Sequence, residues 1–401
     1  MSAVYVVGTG DTKATELEYI KAVIESRGVE AKFIDVGTSG HESMADVSPE
    51  TVAAHHPDGA SAVRSDDRGT AVEAMAIALE AYVTANIEDV AGMIGAGGSG
   101  GTSLVAPAMR SLPIGVPKVI VSTVASSNVA PYVGPADIAM MYSVTDVAGL
   151  NRISREVLGN AANAIAGMVA HPIPTSETDL PAIGLTMFGV TTPLVTSLVE
   201  QLSDRYDPLV FHATGTGGQS MEKLVDSGML RAVLDMTTTE VADHLVGGVF
   251  SAGPGRMDAI ARTRVPYVGS VGAVDMVNFG ALDTVPPRFA ERNLHVHNPQ
   301  VTLMRTTLEE NVAIGEFLAQ KLNACDGPVR FLLPEGGVSL IDAEDQPFHD
   351  PEADDALFAT LEERVIQTPD RVLIRVPHNI NDEGFVHATL SCFREVMEGA
   401  S

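Results

Sequence analysis

AVYVVGTGDTKATELEYIKAVIESRGVEAKFIDV, residues 3–36, decides the fold class. Ala3–Val7 is a short β-branched run, the composition of a buried strand. Gly8-Thr9-Gly10-Asp11-Thr12 makes a tight turn. Leu17, Ile20 and Ile24 then recur on one face of a helix that Gly28 stops, and AKFIDV is the next strand. Strand, Gly-rich turn, helix, strand is the unit of a parallel sheet with crossover helices.

Outward from this unit the pattern repeats. A polar stretch runs from about Gly37 to Asp67, followed by a helix with Val72, Met75, Leu79 and Val83 at helical spacing and a strand ending at Ile94. GAGGSGGTSLVAPAMRSL opens another helix from glycines, and KVIVST is a further strand. HPIPTSETDLP, residues 171–181, has three prolines and no apolar period, which places a domain boundary there. The pattern then restarts with AIGLTMFG, TPLVTSLVEQL, PLVFHATGTGGQS and MEKLVDSG. AVLDM, PYVGSVG, LHVH, RFLLP and VLIRV continue the series of strands, with helices near 308–322, 352–366 and 383–397. The expected architecture is α/β, two consecutive Rossmann-like, doubly wound domains with mainly parallel sheets, residues 1–175 and 176–401. The restart suggests a structural duplication without a sequence repeat.

Composition narrows the functions. A formal net charge of -27, from 52 acidic and 25 basic residues, repels polyanions and speaks against nucleic acid as a partner. A small anion differs, because a few backbone amides and one or two cations hold a phosphate inside an acidic protein. The only cysteines, Cys325 and Cys392, lack the spacing of a disulfide framework or a zinc site, so a reducing compartment is expected. There is no signal-peptide pattern at the start and no apolar run near the ~20 residues of a membrane helix. The expectation is a soluble cytoplasmic protein with no membrane contact.

In open α/β sheets ligands sit beyond the carboxyl ends of the strands. GTGDTK (8–13), GAGGSGGTS (95–103), ATGTGGQS (213–220) and SAGPGR (251–256) fall at such positions. Glycines let a backbone approach an anion, successive amides form a nest, and a helix dipole adds favourable charge. Tight strand-to-helix connection is the competing reading of each loop. The candidates for holding a phosphorylated ligand are Gly8, Thr9, Gly10, Asp11, Thr12 and Lys13; Gly97, Gly98, Ser99, Gly100, Gly101 and Thr102; and Gly215, Thr216, Gly217 and Gly218. Neither standard fingerprint is met. GTGDTK lacks the third glycine of G-x-G-x-x-G, although Asp35 ends the second strand where a ribose-binding acid could lie. Residues 95–102 have Gly101 in place of the P-loop lysine. Lys13, Arg256 and Arg305 are the candidate cations, and Asp11 a candidate holder of hydrated Mg²⁺. Each of these charges is equally readable as a solvated surface group or a helix cap.

LDMTTTEVADH puts Asp235 at a strand end, three threonines at a helix start, and Glu240, Asp243 and His244 in its first turns. General acid-base work and ordinary helix capping both fit, capping the better. LHVHN sets His295 and His297 on one strand face, a spacing open to two metal ligands, but no third ligand follows and no metal is assigned. Glu240, His244 and His295 are the candidate catalytic groups. There is no G-x-S-x-G elbow. LPEGGVSLID and HNINDEGF, residues 333–342 and 378–385, suit a pocket rim or loop scaffolding.

GTGDTK, GAGGSGGTS, DMTTTEVADHLVGG, SAGPGR, GAVDMVNFG, HNPQVTLMRTT, LLPEGGVSLID and HNINDEGF, in this order, resemble the family of the tomato mosaic virus resistance protein's N-terminal region and its stand-alone bacterial and fungal relatives. The resemblance spans essentially the whole chain. It implies two Rossmann-like lobes, a homodimer and ATP binding at the Gly-rich loops, in a family whose bacterial members lack an assigned reaction. The readings that follow are an ATP-binding protein, with or without Mg²⁺ and with or without chemistry on a small acid or sugar acid; an ATP-independent hydrolase or lyase of a phosphorylated or carboxylated metabolite; and a non-catalytic interaction module.

Overall fold

A computed structural model describes residues 2–65, 67–174 and 179–399, and the chain divides into two compact units, 1–175 and 176–401. In the N-terminal unit, β1 (Ala3–Gly8), β2 (Ala31–Asp35), β3 (Val90–Gly97), β4 (Lys118–Ser122) and β5 (Ala139–Tyr142) form one sheet in the order β2-β1-β3-β4-β5. Every pairing in it is parallel. Burial on both faces explains the uninterrupted apolar run of β1. Val4 and Val6 pack on one face with Leu17, Ile20, Ile24 and Leu158. Tyr5 and Val7 pack on the other with Met75, Leu79 and Leu104. The helix Gly10–Glu25 therefore covers the first face, and Arg68–Ala85 and Ser99–Ser111 cover the second.

In the C-terminal unit, β6 (Ala182–Met187), β7 (Asp207–His212), β8 (Ala232–Thr237), β9 (Tyr267–Gly272), β13 (Val329–Pro334) and β14 (Arg371–Val376) form a six-stranded sheet in the order β14-β13-β9-β8-β6-β7. It too is parallel throughout. The two units share one plan. In each, the first strand lies between the second and the third, and the later strands extend beyond the third. The second unit adds a sixth strand and an insertion between β9 and β13.

That insertion corrects one expectation. LHVH is not a strand of the parallel series. It belongs to β11 (Leu294–Asn298), which with β10 (Met276–Phe279) and β12 (Val301–Arg305) makes a separate three-stranded antiparallel sheet in the order β10-β12-β11. The two-residue link Pro299-Gln300 is too short for a parallel crossover, so β11 and β12 pair as a hairpin. Helices Leu308–Asn323, Pro351–Arg364 and Glu383–Glu398 lie where the apolar spacing puts them. Among the described residues, no helix is long and apolar enough to cross a membrane.

Candidate functional site

In the N-terminal unit β1 sends its chain toward one edge of the sheet and β3 toward the other, the topological switch point at which ligands bind in open α/β sheets. Both loops are Gly-rich, yet they are built differently. At the first, the Gly10 amide donates to Asp35 Oδ1 at 2.7 Å, and the Gly37 amide to the same oxygen at 2.8 Å. His41 Nε2 lies 2.9 Å from Asp35 Oδ2, to which the Ser43 hydroxyl donates at 2.6 Å. Asp35 is fully buried. Four partners fill the acceptor capacity of a carboxylate, so its role is to tie the β1 and β2 loops together, and the expected ribose contact is not what its geometry provides. A methyl group on Gly10 would collide with this carboxylate, so glycine is required there by the protein's own packing.

The second loop has no such internal anion. Helix Ser99–Ser111 begins after Gly98 with no side chain capping it. Thr102 donates its amide to Gly98 O, but the amides of Ser99, Gly100 and Gly101 find no acceptor among the described residues. Ser99 and Gly100 are exposed and Gly101 half-buried. A methyl group on Gly100 would meet nothing within 4 Å, and one on Gly101 only Ala96 O at 3.9 Å. Packing does not require glycine at either position. Thr102 was expected to offer a hydroxyl to the ligand; it is buried, donates to Gly98 O at 2.9 Å and lies 2.6 Å from Ser122 Oγ, so it fixes the loop instead.

Nearby, Thr9 and Thr12 pair through their hydroxyls at 2.8 Å, and Asp11 is exposed. Lys13 is half-buried, and its side chain makes no hydrogen bond or ion pair among the described residues. Beyond the end of β2, Gly37, Thr38, Ser39, Glu50 and Arg64 line an open cavity of about 550 Å³. A methyl group on Gly37 would sit 3.3 Å from the Asp11 carboxyl carbon, so the cavity wall adjoins the first Gly-rich loop.

The C-terminal unit answers its Gly-rich helix start from within. Gly215 takes a φ of +84°, and the Gly215 and Gly218 amides donate to Glu240 Oε1 at 2.7 and 3.0 Å. A carboxylate of the protein thus occupies the anion position of this nest. Arg256 completes the arrangement: Nε donates to Glu240 Oε2 at 2.8 Å, Nη2 to Asp235 Oδ1 at 2.7 Å and Nη1 to Glu222 Oε1 at 3.2 Å. Asp235 also accepts from Thr186 and Tyr267 at 2.7 and 3.0 Å. Burial works to lower the Arg256 pKa, and the charges of Asp235, Glu240 and Glu222 outweigh it and hold it well above its ordinary value. Burial pushes the Glu240 carboxyl up, against the pull of Arg256. Methyl groups on Gly217 and Gly218 would collide with His212 O and Glu240, so these glycines are packing requirements. Capping, the favoured reading of DMTTTE, is also corrected: no side chain caps helix Thr239–Val246, and Thr237 instead pairs with Thr191 at 2.8 Å.

Arg305 is likewise spent internally. It donates to Phe348 O at 2.7 Å, Thr306 Oγ1 at 3.0 Å, Asp342 Oδ1 at 3.1 Å and Asp354 Oδ1 at 2.9 Å. It is no free phosphate cation. Around it stand Asp342, pushed by burial and by neighbouring Asp275 and Asp354 to about 10, and Asp275, pushed by burial to about 7. Asp275 Oδ2 accepts from Ser339 at 2.8 Å, while its buried Oδ1 has no partner. GAVDMVNFG, MRTT and GGVSLID, distant in sequence, converge on this cluster; of these, only LPEGGVSLID was expected to be a pocket rim or loop scaffolding.

The three catalytic candidates each have their own neighbours. Glu240 faces Arg256 and two amides. His244 Nδ1 lies 3.4 Å from Ser251 Oγ, with its ring 5.9 Å from that of Phe317. His295 stands 6.1 Å from the ring of Phe348, and His297 lines a different cavity. Among the described residues, no group of three or more His, Cys, Asp or Glu is placed to hold a metal ion.

Fold and site define an α/β protein of two like-ordered parallel sheets, in which the Gly-rich helix start at Ser99 carries no side-chain cap. Residues 2–174 match the N-terminal domain, and residues 180–397 the C-terminal domain, of the uncharacterised protein family UPF0261. The chain belongs to that family. It is 55% identical to a UPF0261 protein of Rhizobium meliloti over 99% of both chains. It is 44% identical to the ToMV resistance protein Tm-1 of Solanum lycopersicum, covering 98% of this chain and 55% of the tomato protein. A solved UDP-GlcNAc 2-epimerase of Methanocaldococcus jannaschii, in complex with UDP-GlcNAc and UDP, covers 67% of this chain and 83% of its own at 9% identity, with a TM-score of 0.23.

Proposed function

We propose that the N-terminal unit binds a phosphorylated small molecule, ATP in the first instance, with a phosphate on the amides of Ser99, Gly100 and Gly101. The observation that carries this reading is that these three amides, alone among the Gly-rich loops compared above, meet no carboxylate of the protein and lie under open space at the two glycines. Oriented amides and the dipole of a 13-residue helix favour an anion there. Lys13, without an ion pair among the described residues, is the cation that replaces the missing P-loop lysine. Asp11 beside it suits a hydrated Mg²⁺ between phosphate oxygens. The cavity of about 550 Å³ at Gly37 to Arg64 lies within the range of small-molecule sites and suits the nucleoside.

Calorimetric titration with ATP, ADP, AMP and inorganic phosphate, each with and without Mg²⁺, tests the reading. Binding that strengthens from AMP to ATP is expected. If none of these ligands releases or absorbs heat, or raises the melting temperature, at roughly 10 mM, the reading fails, because a ligand selective for the native state stabilises it. Glu240 is engaged by Arg256 and the Gly215 and Gly218 amides, so no second activity is proposed.

A further inference from the structure

A second cavity lies in the C-terminal unit, at the carboxyl ends of β6 and β7. It encloses about 200 Å³. Its floor is apolar: Phe188, Val190 and Leu303 line it and are buried, and Phe250 and Val301 are half-buried beside them. Phe188 meets Phe250 with ring centres 6.2 Å apart and planes at 65°, and meets His212 at 5.3 Å and 64°. Aromatic walls of this kind favour a further flat ring packed against them.

The walls are held from behind. The Phe188 amide donates to Thr191 Oγ1 at 3.0 Å, and Thr191 Oγ1 lies 2.8 Å from Thr237 Oγ1. The Phe250 amide donates to Asp243 Oδ2 at 2.7 Å, and Asp243 Oδ1 accepts from the Asn278 amide at 2.7 Å. A wall fixed by buried hydrogen bonds is formed before any ligand arrives, which lowers the ordering cost of binding.

The rim is polar and exposed. His212, His297 and Asn298 stand on it. The imidazole nitrogens of His212 and His297 have no hydrogen-bond partner among the described residues. Asn298 Oδ1 accepts from Gln300, which leaves its amide nitrogen as a donor. Apolar floor and donor rim match a ligand with one end of each kind. An apolar cavity of roughly 150 Å³ is enough for a single benzene-sized ring.

We propose that this cavity binds a small carboxylic acid whose body is one aromatic or similarly flat apolar ring, the ring on the Phe188, Val190 and Leu303 floor and the carboxylate at the His212, His297 and Asn298 rim. The proposal is independent of the phosphate-site reading, since the cavity lies in the other unit and its probes carry no phosphate.

Saturation-transfer NMR with phenylacetate, phenylacetamide and acetate tests it on the full chain. Phenylacetate is expected to bind, acetate not, and phenylacetamide about tenfold more weakly than phenylacetate. Gly189 is the site for a blocking variant, because a methyl group there meets nothing within 4 Å. Gly189→Phe should abolish phenylacetate binding with an unchanged melting temperature, and His297→Ala should weaken it several-fold. No transfer to phenylacetate at roughly 10 mM, or equal binding by Gly189→Phe, would overturn the proposal. So would a sedimentation change from dimer to monomer in Gly189→Phe with no effect on phenylacetate, which would assign the cavity to a second copy of the chain.

Discussion

The helix starts at Ser99 and at Thr216 are nearly alike in sequence, GAGGSGGTS against ATGTGGQS, and opposite in construction. The second is filled by the protein itself: Glu240 accepts from Gly215 and Gly218, Arg256 neutralises it, and the glycines are small because Glu240 and His212 leave no room. The first has no internal anion, and its Gly100 and Gly101 face open space. Glycine at a strand-to-helix turn therefore has two unrelated causes, close packing of the protein and close approach of a ligand. What distinguishes them is the neighbour a side chain would meet.

The largest expected effect breaks the filled start. Gly218→Ala forces a methyl group into a buried ion pair, and a loss of about 3 kcal/mol in denaturant unfolding is expected. A loss under about 0.5 kcal/mol would mean that Glu240 does not hold this loop.

A second prediction separates the units by pH. Asp275, with an ordinary value of 3.8, is pushed by burial to about 7 in the folded chain. Folding then favours its protonated form, so its contribution is fully present below about pH 4 and is lost as pH rises to about 7. Asp275→Asn lacks this loss. Between about pH 4 and about pH 7 the variant should gain on the parent chain by about 3 kcal/mol in urea unfolding, and a gap that stays constant would refute the buried, protonated Asp275.

Smaller effects sharpen the open start. Gly100→Ala should stabilise the ligand-free chain by about 0.5 kcal/mol, as a helix residue with room for its methyl group, while weakening ATP binding. Stability gained together with affinity lost is the mark of a glycine kept for a ligand. Lys13→Ala should leave stability within about 0.5 kcal/mol and weaken ATP about tenfold by calorimetry.

Much of the fold was legible because its signals are local. Strand runs such as Ala3–Val7, the spacing of Leu17, Ile20 and Ile24, and the prolines near residue 173 needed no knowledge of distant partners. The direction of β11 was not legible, since a strand's own sequence does not name the strand it pairs with; only the two-residue link to β12 hinted at a hairpin. The site failed in a similar way. Loop chemistry located the Gly-rich helix starts, but Asp35 lies 25 residues from Gly10 and Glu240 lies 25 from Gly215, and nothing near either loop announces the carboxylate that fills it. Arg305 looked available for the same reason, its acidic partners Asp342 and Asp354 being 37 and 49 residues away.

The most direct measurement is an amide NMR titration of ¹⁵N-glycine-labelled protein with a non-hydrolysable ATP analogue and Mg²⁺, its resonances assigned through the Gly100→Ala, Gly101→Ala and Gly218→Ala variants. The Gly100 and Gly101 signals should shift on binding while Gly218 stays in place. Movement of Gly218 with Gly100 and Gly101 unmoved would contradict the assignment of the open helix start as the anion site.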